Sequence, residues 1–100
     1  KGANLVEYTS IFERQLTTMR PSNGRIEAVE VWQRDDGQWQ INVFVSWKPN
    51  IKFTVCLFNL REVKLYAQAA TALRHIVVKY QYYGMIAVYP REGMLAKNLI

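Results

Sequence analysis

Few side chains in this sequence have the type and spacing that catalysis requires. His75 is the only histidine and Cys56 the only cysteine among 100 residues. Cys56 could serve as a nucleophile with His75 as its base, but a general base needs an orienting acceptor. The residues on His75's own helical stripe are Gln68 and Lys79, not carboxylates. Cys56 also lies in an apolar run, where a cysteine behaves as a small hydrophobe. Asp35 and Asp36 precede Gly37 and suit a turn better than a metal site. The six glutamates show no paired spacing beyond Glu27 and Glu30, which fall on opposite faces of a strand. The five glycines form neither G-x-G-x-x-G nor G-x-x-x-x-G-K, so no phosphate-cradling loop is encoded. The expectation is a non-catalytic protein with no cofactor, no metal and no small-molecule substrate.

Binding chemistry is better represented. Residues 1–50 carry six basic and six acidic side chains and sum to zero. Residues 51–100 carry seven basic and two acidic ones, so the whole net charge of +5 lies there. A basic half suits an anionic partner, and nucleic acid, DNA or RNA, is the first expectation. Arg61, Lys64, Gln68, His75 and Lys79 fall on one stripe of a helix, where the cations would meet phosphates. Gln40, Asn42, Lys52 and Thr54 fall on one side of consecutive strands and would reach base edges. Phe44 and Phe58 share that side. Together with Tyr82 and Tyr83 they suit the alternative expectation, a protein–protein assembly module, most simply a homodimer, that buries an aromatic sheet face. A plain solvated helix face is the ordinary reading of the same stripe.

The elements that must position these residues follow from periodicity. Asn4-Leu5-Val6-Glu7 reads as a capping box, and Leu5, Tyr8, Phe12, Leu16 and Met19 follow helical spacing, so a helix is expected over 5–19. Arg20 to Gly24 breaks it. Residues 25–34 read as a strand and Asp35-Asp36-Gly37 as a turn. Trp39, Ile41, Val43, Val45 and Trp47 then alternate with Gln40, Asn42 and Phe44, the pattern of a half-buried strand. Lys48-Pro49-Asn50 reads as the next turn, and Ile51, Phe53, Val55 and Leu57 as a third strand. Asn59-x-x-Glu62 repeats the capping signature. It opens a helix expected to reach Tyr82, buried along Val63, Tyr66, Ala70, Leu73 and Val77 and stopped at Gly84. Met85 to Tyr89 closes as a short strand before Pro90. Met94, Leu95, Leu99 and Ile100 give the tail enough apolar surface to dock.

The resulting expectation is a single α+β domain over residues 1–100: one antiparallel sheet, order α-β-β-β-α-β, with helices packed on one face. Half the residues are apolar and 21% are charged, which excludes a disordered tail. No stretch approaches the roughly 18 consecutive apolar residues that cross a bilayer. No apolar segment resembling a signal peptide follows Lys1, and the missing initiator Met fits a chain trimmed from a longer one. One thiol and no disulfide fit an intracellular, cytoplasmic setting. The α-β-β-β-α order is similar to the double-stranded-RNA-binding domain, and Ala67 to Leu73 resembles its alanine-rich second helix. That family's lysine cluster is reduced here to Arg61 and Lys64, and its Gly-Pro turn is missing. Trp39 to Tyr66 also resembles the three-strand-plus-helix DNA-binding domains of some integrases and plant regulators, with a strand tryptophan and Phe58-Asn59 at the helix start. The basic residues those sheets set on bases are mostly absent. Each resemblance covers about half the chain, and neither assigns a family.

Overall fold

A computed structural model describes residues 9–57, 59 and 62–91. Its elements in chain order are β1 (Thr9–Phe12), a 3-10 turn (Glu13–Leu16), β2 (Ile26–Gln33), β3 (Trp39–Val45), β4 (Lys48–Cys56), α1 (Ala69–Val78) and β5 (Ile86–Tyr89). The five strands form one sheet in the order β1-β4-β3-β2-β5. The β2–β3–β4 meander is antiparallel, as its alternation foretells. The outer strands overturn the expectation of a purely antiparallel sheet: β1 runs parallel to β4, and β5 runs parallel to β2. A single α-helix is present among the described residues, so the two-helix order α-β-β-β-α-β does not hold, nor does the order on which the first resemblance rested.

The first helix fails for a local reason. Thr9–Phe12 alternates, and in register with β4 it places Ile11 beside Val55 in the core. A helix would have left Ile11 off its buried face. Its backbone groups pair instead with the outer edge of β4, which a short isolated helix could not match in stability. Met19, assigned to the helix's apolar stripe, is exposed. Residues 1–8, with the Asn4–Glu7 capping signature, lie outside the described residues.

The second helix is much shorter than its periodicity suggests. Glu62 N–H donates to the Asn59 carbonyl at 3.1 Å, so the Asn-x-x-Glu signature closes a turn. The chain then runs extended along the strand ends. Lys64 N–H donates to the Val55 carbonyl at 3.0 Å, and Tyr66 exchanges two backbone hydrogen bonds with Trp39, at 2.8 and 2.9 Å. Those bonds consume the donors that a helix over this segment would have used internally. The helix ends before Gly84, because Gln81 takes a left-handed conformation at φ 55°. Its buried stripe is Ala72, Ile76 and then Tyr80, with Leu73 partly buried, while Val77 is exposed.

One face of the sheet carries the core. Val29, Val31, Ile41, Val43, Val45, Phe53 and Val55 point into it, and Leu16, Tyr66, Ala72, Ile76 and Tyr80 cover it. The β3–β4 turn falls at Ser46-Trp47, two residues earlier than Lys48-Pro49-Asn50. Trp47 folds back there onto Gly24, where a Cβ would lie 2.7 Å from the indole, so only glycine fits beneath the ring. Ser46 N–H donates to the Arg25 carbonyl at 2.9 Å and ties that tip to the start of β2. No helix among the described residues is long and apolar enough to cross a membrane.

Val43 is fully buried between Val29 and Phe53. Val43→Asp puts an uncompensated charge there at a cost of several kcal/mol, a large part of the roughly 5–15 kcal/mol that holds a domain together. The expected result is loss of the cooperative urea transition, whereas Ile41→Ala keeps a transition lowered by about 2–5 kcal/mol.

Candidate functional site

The sheet face opposite the core bears a row of polar residues between aromatic ones. Glu30, Asn42, Thr54 and Ser10 are cross-strand neighbours running from β2 through β3 and β4 to β1. Tyr89, Trp32 and Gln40 form the adjoining row across β5, β2 and β3. Phe44 lies beyond Asn42 along β3. Alternation sets this arrangement: every residue between two core residues of a strand faces the other way.

The polar row is bonded into a floor. Asn42 and Thr54 are 5% and 4% exposed. The Asn42 Oδ1 accepts from Thr54 Oγ1 at 3.0 Å and from Gln40 Nε2 at 3.1 Å. Glu30 Oε1 accepts from Trp32 Nε1 at 2.7 Å and pairs with Lys52 Nζ at 3.1 Å. The Lys52 ammonium also sits 5.1 Å from the centre of the Trp32 ring and 5.9 Å from that of Phe44. Such cation–π contacts contribute about 0.5–2 kcal/mol, depending on exposure. Tyr89 stacks on Trp32 with ring centres 4.4 Å apart and planes 23° apart. A shallow cleft of about 280 Å³ opens here, lined by Trp32, Gln33, Arg34, Gln40, Asn42 and Lys52. A second cleft of about 600 Å³ shares Gln33, Arg34 and Gln40 with it and reaches Asp35, Asp36 and Val63. The Gln38 amide, donating to Asp36 Oδ1 at 2.9 Å, holds that carboxyl below its ordinary pKa.

The sequence-derived sheet residues Gln40, Asn42, Lys52 and Thr54 are therefore brought together, with Phe44 beside them. The helical stripe is not. Lys64 sits in the extended segment, its ammonium 5.4 Å from the Tyr66 ring centre, and Gln68 is the residue before α1. His75 and Lys79 are on α1 and its end, but both turn to Glu13. Arg61 and Phe58 lie outside the described residues, as does the tail from residue 92. Tyr82 packs on the core with its hydroxyl donating to the Met85 carbonyl at 2.8 Å, while Tyr83 is 77% exposed. Trp32, Glu30 and Arg34 escaped the sequence reading. The signal was available for two of them: in the run Val29-Glu30-Val31-Trp32 the parity that buries both valines turns Glu30 and Trp32 to the opposite side.

Glu13 organises the helix side. Its Oε2 accepts from His75 Nε2 at 2.7 Å and from the Tyr80 hydroxyl at 2.9 Å, and its Oε1 lies 3.6 Å from Lys79 Nζ. Burial raises the Glu13 carboxyl. The hydrogen bonds from Tyr80 and His75, together with the charges of Lys64 and His75, outweigh it and hold the pKa below the ordinary value. Burial, and then nearby negative charge, pushes the Tyr66 and Tyr80 phenols far up. The Tyr66 hydroxyl lies near Tyr80 yet has no bond of hydrogen-bonding geometry among the described residues. His75 thus has the orienting carboxylate that its own stripe lacks, but Cys56 stands on the opposite face of the sheet, buried, with Sγ directed to the Thr54 carbonyl. No group of three metal-ligating side chains occurs among the described residues.

What this second face can do is stack a flat ring, offer amide groups to its edge and place an ammonium beside it. The chain matches no known family model, no curated protein and no solved structure.

Because the Glu13 pKa is lowered in the folded state, its stabilising contribution is complete above the ordinary carboxylate value of 4.5 and disappears as pH falls through the lower, folded value. Glu13→Gln removes charge-assisted hydrogen bonds worth about 1.5–3 kcal/mol. The urea midpoints of the parent and Glu13→Gln proteins are expected to differ at neutral pH and to converge in acid.

Proposed function

We propose that this domain is a non-catalytic nucleic-acid-binding module that works through the second face of its sheet. The observation carrying the reading is the Lys52 ammonium set over Trp32, itself stacked on Tyr89, beside the amides of Gln40 and Asn42. Aromatic rings on a sheet stack bases of any sequence, each worth about 1–3 kcal/mol, while cations track the backbone. The net charge of +5 favours such an encounter. The role first expected of the helix is smaller, since α1 packs on the core side of the sheet, away from the second face, and holds only part of the expected stripe. Arg14 over Phe12, Lys52 over Trp32 and Arg34 at the mouth of the cleft are the described cations on this face. The single buried thiol suits action inside the cell, in the cytoplasm.

A protein partner or a second copy of the chain is the alternative, and a specific observation favours it. Tyr83 and Met85 are 77% and 87% exposed just before β5, and Val88 on that strand is also exposed. Such a patch marks an interaction surface when it is contiguous.

Salt separates the two readings. Binding of a labelled oligonucleotide through about three phosphates gives a log–log salt slope of about −2 for a single strand. Lys52→Gln is expected to weaken binding and reduce that slope by about 0.7, measured by anisotropy across a salt series. No oligonucleotide binding, with salt-insensitive self-association in sedimentation, would instead support the apolar β5 patch.

A further inference from the structure

We infer that the ligand of this face is single-stranded nucleic acid, its bases unpaired and laid on the sheet. This rests on the reading of the face as a nucleic-acid site and narrows its substrate class. The first argument is width. Second-face side chains come from all five strands, from Phe12 on β1 to Tyr89 on β5. With strands about 4.8 Å apart, that face spans about 19 Å. A B-form major groove is about 12 Å wide and admits a helix or a two-stranded ribbon, not a five-stranded face.

The second argument is stacking. Asn42 and Thr54 are nearly buried in the floor of the sheet, so the accessible groups include the Trp32 and Tyr89 rings. An A-form minor groove displays base edges while its base faces stay stacked on one another, and offers those rings no flat surface. A lone base is thin enough to lie against Trp32 and Tyr89 with its edge toward Gln40.

The third argument is charge. A duplex presents two phosphate rails, whereas the described cations of this face stand singly across it: Arg14 over the Phe12 ring at the β1 edge, 4.6 Å from its centre, and Lys52 near the middle. At the β2–β3 end Arg34 pairs with Asp36 at 3.3 Å, and the Arg91 guanidinium is held by the Asp35 carbonyl at 2.7 Å. The Asp35 and Asp36 carboxylates beside them would repel a second backbone. One strand running from Arg14 past Lys52 keeps clear of that acidic end.

The test uses the whole chain and a mixed-sequence oligonucleotide in four forms: single-stranded DNA, single-stranded RNA, and each annealed to its complement. Anisotropy at one salt concentration is expected to show either single strand bound about tenfold or more tighter than its duplex, the gain of a stacked base. Trp32→Ala should erase that preference and Trp32→Phe should retain most of it, with circular dichroism confirming that both variants are folded. Comparing the two single strands tells whether the sugar is read. Duplex binding as tight as single-strand binding overturns this inference while leaving the nucleic-acid reading in place. Absence of binding to all forms overturns the reading itself.

Discussion

The alternation of β3 is the constraint from which the rest of the molecule follows. β3 is the central strand, so both of its edges are paired with neighbouring strands. Ile41, Val43 and Val45 supply the middle of the core, and Gln40, Asn42 and Phe44 supply the middle of the opposite face. A slip of one residue against β2 or β4 would exchange the two sets, driving Asn42 into hydrocarbon and Val43 into the polar row. Register is therefore enforced twice: by burial on one side and by the Thr54–Asn42 hydrogen bond between β4 and β3 on the other.

The two sides manage charge differently. On the helix side one carboxylate, Glu13, gathers an imidazole, a phenol and an ammonium. These three side chains clasp the 3-10 turn to α1 and the residues that follow it. Arg20 reinforces it, donating to the carbonyls of Leu16 and Tyr80. On the sheet side Glu30 is mostly buried and holds Lys52 over aromatic rings. The ammonium is nearly half exposed, so its charge is directed rather than buried.

How far this could be read beforehand depends on the reach of the interactions. The meander was legible, because alternation in Trp39–Val45 and Ile51–Val55 is a property of neighbouring residues. So was the shared side of Gln40, Asn42, Lys52 and Thr54. The helices were overread because spacing reports only which residues align, not what competes for their backbone. Tyr66 is aligned for a helix, yet its amide and carbonyl go to Trp39, 27 positions earlier. Ile11 is misaligned for a helix and buried as a strand residue. The Glu13–His75 contact joins residues 62 apart and leaves no local trace. The stacking of Tyr89 on Trp32 likewise follows from β5 joining β2, which no short-range pattern announces.

The parallel edges also set an order of assembly. The meander closes through tight reversals between adjacent strands, whereas Thr9 must find Phe53, 44 positions later, and Val29 must find Ile86, 57 positions later. Loop-closure entropy and the slowness of distant pairings place those events after the hairpins. Until β1 and β5 dock, the outer edges of β4 and β2 are bare templates on which another chain can align. The aromatic platform is among the last features to appear, since Trp32 gains its stacking partner only when the final strand arrives.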